Sequence, residues 1–260
     1  MPPVLPTLTE TGAGEPVVFL HSMAGSSTSW SPQFESLSGE FHCVAWDMPG
    51  YGSSAPADQQ ADMSFMADLL RAALDERRLD QRVHLVGLSV GGMIAQHFAI
   101  RNPERVASLA ILDSSAKFGN GASVDPEQWL QPMLSSIEAS PLNEFCHGMV
   151  HDITAPNTPD PIRRSAVADM SRATKAGLRL AAGLIARHDA SQELALITVP
   201  TLVIVGELDR ETPVPYSQTI TELIAGATLE VLPGTGHLSN IEAPEAVNRA
   251  LHAHLRKALV

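Results

Sequence analysis

Cysteine is scarce in this sequence. Two residues in 260, Cys43 and Cys146, sit too far apart for a disulfide framework or a zinc site of paired cysteines, and both read as buried thiols. Basic residues are also in short supply: 17 Lys and Arg face 29 Asp and Glu, which gives a formal charge of -12. A field of that sign repels phosphate backbones and anionic membrane surfaces, so neither nucleic acid nor a membrane is expected as a partner. No apolar run reaches the ~18 residues of a membrane span. Residues 1–16 carry neither the basic nor the apolar stretch of a leader, which points to the cytoplasm. The phosphate-cradling glycine loops of nucleotide enzymes and the HExxH helix of zinc proteases are missing too. His147 and His151 lie one helical turn apart but have no third ligand in view. No cofactor and no metal are therefore expected.

What is present is a 44% hydrophobic, 18% charged composition, the balance of a globular chain long enough for one large core and an insertion. Short apolar, β-branched runs at residues 17–20, 42–47, 83–88, 106–113, 201–207 and 228–232 alternate with helical patterns at 29–37, 61–78, 91–102, 215–224 and 244–258. That alternation predicts an α/β fold, a mostly parallel sheet with helices on both faces. From 116 to 189 the rhythm breaks. No strand pattern occurs there, and amphipathic helical pieces carry large apolar residues such as Trp129, Met133, Phe145 and Met149. A helical insertion at the C-terminal edge of a parallel sheet covers the place where such folds bind ligands, so this stretch reads as a lid. The division is then a core of 1–115 and 190–260 and a lid of 116–189.

The chemistry centres on Gly87-Leu88-Ser89-Val90-Gly91, which follows an apolar run and opens a helical pattern. Small residues on either side permit the sharp strand-to-helix turn that lifts a serine hydroxyl above a sheet. A serine hydroxyl needs a base, and a histidine base needs an acid to fix its tautomer. Of ten histidines, only His237 lies in a glycine-rich loop after the last strand, Pro233-Gly234-Thr235-Gly236-His237. Asp209, in the loop after the strand at 201–207, is the first choice for the acid. Asp113, at the end of the preceding strand, is its rival, with a duller reading as a carboxylate capping the start of the insertion through backbone amides.

These segments together resemble the α/β-hydrolase fold family over nearly the whole chain. Asp47-Met48-Pro49-Gly50-Tyr51-Gly52-Ser53-Ser54 is similar to the loop that family carries after its second core strand, and His21-Ser22-Met23-Ala24-Gly25 is similar to its HGxxG loop. Within the family, Gly87 to Ile94, Ser114-Ser115-Ala116-Lys117-Phe118-Gly119 and Gly236-His237-Leu238-Ser239-Asn240-Ile241-Glu242 resemble the 3-oxoadipate enol-lactonases. The resemblance implies a Ser89–Asp209–His237 triad in the family's chain order and an oxyanion hole from the Met23 and Val90 amides. It also implies a lid between the sixth and seventh strands of the full fold, with the N-terminal strand shortened or missing because about sixteen residues precede the first confident strand. Histidine at 21, Pro49-Gly50-Tyr51-Gly52 and the stretch 120–171 depart from the enol-lactonase pattern.

The implied activity is hydrolysis of a small carboxylic ester or lactone. Carbon–carbon bond hydrolysis and slow-turnover ligand reception are the alternatives within the same fold. Ser22, Lys117 and Trp129 are the expected substrate contacts. Lys117 is singled out because an enol-lactone carries a carboxylate that so acidic a chain would otherwise repel.

Overall fold

The computed structural model describes residues 4–121 and 125–258. Its sheet has seven strands: β1 (Leu8–Thr11), β2 (Pro16–Leu20), β3 (His42–Trp46), β4 (Val83–Leu88), β5 (Val106–Leu112), β6 (Thr201–Gly206) and β7 (Thr228–Leu232). Their spatial order is β1-β3-β2-β4-β5-β6-β7. Every neighbouring pair is parallel except β1 with β3. Strands β2, β4 and β6 are buried at every position, which is why they read as unbroken apolar runs and not as alternating ones.

The N-terminal strand is present in short form. β1 holds four residues, of which only Leu8 is buried, and pairs antiparallel with β3 in the register Leu8 to Trp46. β1 pairs with β3 and not with β2, so it forms the sheet edge and no hairpin, and this edge carries one strand fewer than the full fold. Numbered by this chain's own strands, the insertion falls between the fifth and the sixth, β5 and β6, where the full fold would place it between the sixth and seventh.

The helices are α1 (Ser31–Leu37), α2 (Met63–Glu76), α3 (Val90–Arg101), α4 (Pro126–Ala139), α5 (Leu142–Ile153), α6 (Asp160–Met170), α7 (Lys175–Ala186), α8 (Val214–Leu223), α9 (Ser239–Glu242) and α10 (Pro244–Ala258). α3 packs on β2, β4 and β5 and against α2; α1 packs against α10, which also reaches β5. Helices α4 to α7 make up the insertion, of which residues 122–124 lie outside the described residues. Its two ends meet in an antiparallel bridge of Lys117 with Asp189, flanked by hydrogen bonds from Phe118 N to His188 O (2.9 Å) and from Ala190 N to Ala116 O (2.8 Å).

Two contacts seat the insertion on the sheet. Thr174 caps α7 by accepting from Gly177 N, and its own amide donates to Gly50 O at 2.8 Å. Gly50 has φ +87, and a side chain there would collide with the α7 backbone at Gly177, so glycine serves both the turn and the close approach. On the other side the Glu242 carboxylate accepts from Ala155 N (2.8 Å) and Thr158 Oγ1 (2.6 Å) of the insertion, and from Leu238 N (3.0 Å) of the loop that carries His237. Among the described residues no helix is long and apolar enough to cross a membrane.

Candidate active site

Ser89 stands between the end of β4 and the first residue of α3, with φ 54 and ψ -121. Positive φ in a residue with a side chain is strained by roughly 1–3 kcal/mol and persists only where the surroundings enforce it. The surroundings here are backbone. A Cβ on Gly87 would strike the Gly91 carbonyl, and a Cβ on Gly91 would strike the Leu20 carbonyl. Each glycine of the five-residue pattern therefore answers to a specific neighbour, and the turn can be as tight as it is only because both lack side chains.

His237 lies across from this turn. Its Nε2 is 3.0 Å from Ser89 Oγ, and its Nδ1 is 2.8 Å from Asp209 Oδ2. Asp209 also accepts from Thr212 Oγ1 at 2.8 Å and from the amides of Glu211 and Thr212 at 2.8 and 3.0 Å. With the carboxylate fixed by three other donors, the remaining approach to Oδ2 belongs to imidazole Nδ1–H, which leaves Nε2 as the acceptor facing the serine. Burial works against a charge on either group. For His237 the charge and hydrogen bond of Asp209, with Asp113 and Glu211 behind them, overcome it and raise the pKa above the ordinary histidine value. For Asp209 the same pairing and the Thr212 bonds outweigh burial and lower the pKa.

Asp113 is the third carboxylate of the cluster, and the expectation for it needs correcting. It does bind backbone amides, but not those at the start of the insertion. Oδ1 accepts from Gly206 N at 2.9 Å and Oδ2 from Ser239 N at 3.2 Å. Gly206 ends the strand that leads to Asp209, and Ser239 lies two residues past His237, so one carboxylate ties together the two loops that carry Asp209 and His237. Burial first, then the charge of Asp209, hold its pKa well above the usual carboxylate range. It also has φ 44, a second strained position at the same sheet edge.

His21 has a comparable bracing role that its sequence position did not disclose. Its Nδ1–H donates to Ser22 O (2.7 Å) and its Nε2 accepts from Met48 N (2.9 Å), which fixes a neutral ring. Burial lowers its pKa to about 4, in keeping with that tautomer. The imidazole thus fastens the loop of Ser22 and Met23 to the loop after β3. Glu242 was likewise visible only as part of a family-like stretch; its distribution of bonds between insertion and histidine loop depends on residues more than eighty positions away.

Ser89 and His237 open onto a cavity of about 230 Å³. Ser22, Met23 and Trp129 line it, together with Met93, Met149, Ile153, Ile185 and Tyr216. Trp129 leans on Phe118 with ring centres 5.5 Å apart. Val90 is the first residue of α3, so its amide lies outside the helix's own hydrogen-bond ladder. Lys117 does not line the cavity. Its Nζ pairs with Asp189 Oδ2 at 3.4 Å at the neck of the insertion, and among the described residues Glu211 is the one carboxylate in the lining, beside His237. No group of three or more potential metal ligands occurs among the described residues, and His151 faces only Asp152.

Known proteins share this arrangement of elements. The chain is 30% identical to the dihydrolipoyllysine-residue acetyltransferase component of the acetoin cleaving system of Pseudomonas putida, over 94% of this chain and 64% of that protein, so it spans less than two thirds of that relative. To 3-oxoadipate enol-lactonase 2 of Acinetobacter baylyi it is 27% identical, over 93% of this chain and 88% of that one. A thermophilic esterase from Thermogutta terrifontis, solved with malate bound, superposes with a TM-score of 0.89 at 28% identity, covering 97% of this chain and 93% of the other. The family model for the alpha/beta hydrolase fold matches residues 15–244, from the start of β2 to the start of the last helix. With β2, the serine turn, the insertion and the histidine loop all inside that match, the chain belongs to the alpha/beta hydrolase family.

Proposed function

We propose that this hydrolase cleaves a small carboxylic ester or lactone through an acyl-enzyme on Ser89. The observation that carries the reading is the unbroken chain Ser89 Oγ, His237 Nε2, His237 Nδ1, Asp209 Oδ2, at 3.0 and 2.8 Å, opening on a mainly apolar cavity. Similarity to an enol-lactonase and to an esterase supports the class of bond.

Ser89 Oγ attacks the carbonyl carbon while His237 Nε2 takes its proton, and Asp209 steadies the resulting imidazolium. The carbonyl oxygen gains a full negative charge, and the amides of Met23 and Val90 are the donors assigned to it, each worth roughly 3–4 kcal/mol in the transition state. Collapse breaks the bond to the leaving oxygen, which receives the proton from His237. Water then attacks the acyl carbon, gives its proton to the same nitrogen, and the acid departs from a restored Ser89. A lactone follows the same steps, except that the leaving oxygen stays on the acyl chain as a hydroxyl, so nothing leaves after the first half-reaction and the second releases a single hydroxy acid. Residues 116–189 act as the lid over this chemistry, and the core of 1–115 and 190–260 supplies the reacting groups.

The reading is tested with a fluorophosphonate probe and peptide mapping, alongside hydrolysis of p-nitrophenyl acetate and a simple lactone. A single adduct on Ser89 that abolishes turnover is expected. An adduct elsewhere, or turnover that survives full labelling, overturns it.

A further inference from the structure

A second cavity of about 400 Å³ lies against the catalytic one, between α4 and α5. The two share Trp129, Met149, Ile153 and Glu211 as common wall, so a molecule whose ester sits at Ser89 has only to pass those side chains to enter the groove. Beyond them the groove is floored by Met133 and Phe145. Met133 rises from α4 and Phe145 from α5, each half-buried and presenting apolar surface to the groove.

Charge narrows the occupant. Among the described residues neither lining contains a lysine or an arginine, and His237 is the only histidine in either. The charged side chains at the groove are Glu144, Asp152 and Glu211, all carboxylates and all exposed. An arm ending in a carboxylate would meet like charge along an apolar floor, whereas an uncharged arm would exchange water for Met133, Phe145 and Met149. Lys117, the lysine expected to offset an anion, is paired with Asp189 and lines neither cavity.

We propose that the groove between α4 and α5 is a second substrate subsite, which takes an extended, uncharged apolar arm of the ester and discriminates against arms that carry a carboxylate. This rests on Ser89 hydrolysing esters and adds the class of substrate. The 230 Å³ cavity alone accommodates the reacting group and a short chain; the groove extends the bound length along the insertion.

Gly148 offers a way to close the groove without reaching Ser89. It lines the groove but not the catalytic cavity, and a Cβ placed on it meets nothing within 4 Å, so Gly148→Phe projects a ring into free space. Ser136→Trp fills the same space from α4, the opposite wall. The experiment measures kcat/KM on p-nitrophenyl esters from acetate to decanoate, and on an octanoate-length acyl chain ending in carboxylate. In wild type, kcat/KM should climb about two- to four-fold per methylene until the groove is filled. The carboxylate-ended chain should fall about ten-fold or more below its neutral match. Either filling variant should lower the octanoate-to-acetate ratio by about ten-fold. A flat length series, a steep series untouched by both variants, or equal rates on charged and neutral arms overturns the subsite. Absence of any hydrolysis, acetate included, instead overturns the esterase reading beneath it.

Discussion

The strand-end floor of the cavity and the helices above it are held in different ways. On the floor, Ser89, Asp113, Asp209 and His237 are each no more than 6% exposed, two of the four have positive φ, and their side chains are bonded to one another or to backbone. In the insertion, α4 buries Leu130 and Ile137 and leaves its polar face in solvent, with Lys175 and Arg179 of α7 reaching it through Glu138. A floor fixed from every side can lose one atom without moving, so substitutions there read out chemistry. Within this roof α7 is well anchored, with Leu178, Leu180 and Leu184 buried, but α4 has only two buried anchors and can repack, so substitutions on α4 read out shape and affinity.

Ser89→Ala gives the sharpest test of that contrast. With the turn enforced by the Gly87 and Gly91 contacts, the alanine protein should keep its melting temperature within a few degrees and lose about 10⁴–10⁶ in kcat. A large loss of stability would mean the floor is less fixed than its contacts imply. Next come the two carboxylates. Asp209→Asn should cost about 10³–10⁴ in kcat by favouring the wrong imidazole tautomer. Asp113→Asn sets an amide NH₂ against a backbone N–H and should cost about 1–3 kcal/mol of stability in denaturant unfolding, with a smaller fall in kcat. The reverse ranking would transfer the role of acid to Asp113.

Glu211 sits where floor and roof meet, and its effect should be electrostatic. The reaction needs neutral His237, and a pKa raised by Asp209, Asp113 and Glu211 puts the acidic limb of kcat/KM above the ordinary histidine value. Removing one of those negative charges with Glu211→Gln weakens the protonated form, so the limb should move to lower pH; a limb that stays in place or moves upward would detach Glu211 from the base. The smallest effect belongs to the roof's neck. Lys117→Ala breaks a half-exposed pair with Asp189, and such pairs contribute about 0–1 kcal/mol. Carboxylate-bearing and neutral esters should both change by less than about three-fold in kcat/KM, and a selective loss on the charged ester would restore Lys117 as an anion reader.

Legibility in the sequence followed the range of the interactions. The residues around Ser89 and His237 are local signals: glycines that allow a turn sit next to the residue they expose, and strand-helix order placed Asp209 between them. The structure brings the three side chains into one hydrogen-bonded chain. The buried strands were legible because burial on both faces produces unbroken apolar runs. β1 was not, because three of its four residues, Thr9, Glu10 and Thr11, face solvent and leave no periodic trace. Asp113 was legible as a residue that binds amides, but the amides belong to segments 93 and 126 positions further along the chain. Lys117 was chosen because it falls where the enol-lactonase-like Ala116-Lys117-Phe118-Gly119 stretch leaves the sheet, and its partner, Asp189, becomes a neighbour only when the insertion closes on itself.

That closure has a consequence for how such a protein diversifies. Because Ala116 and Phe118 are hydrogen-bonded to Ala190 and His188, the sheet meets the 116–189 stretch as the two arms of a short antiparallel stem, whatever hangs beyond it. Loop entropy grows only as the logarithm of length, about 0.6 kcal/mol per doubling. Lengthening or trimming the helices distal to the stem therefore costs the strands little loop entropy provided that the bonds of Thr174 to Gly50, of Ala155 and Thr158 to Glu242 and of His237 N to Ile153 O are kept, while it rewrites the walls that Trp129 and Met149 supply. The stem and these seats together act as a socket that fixes where the insertion stands over Ser89 while leaving the exposed outer faces of its helices free to change.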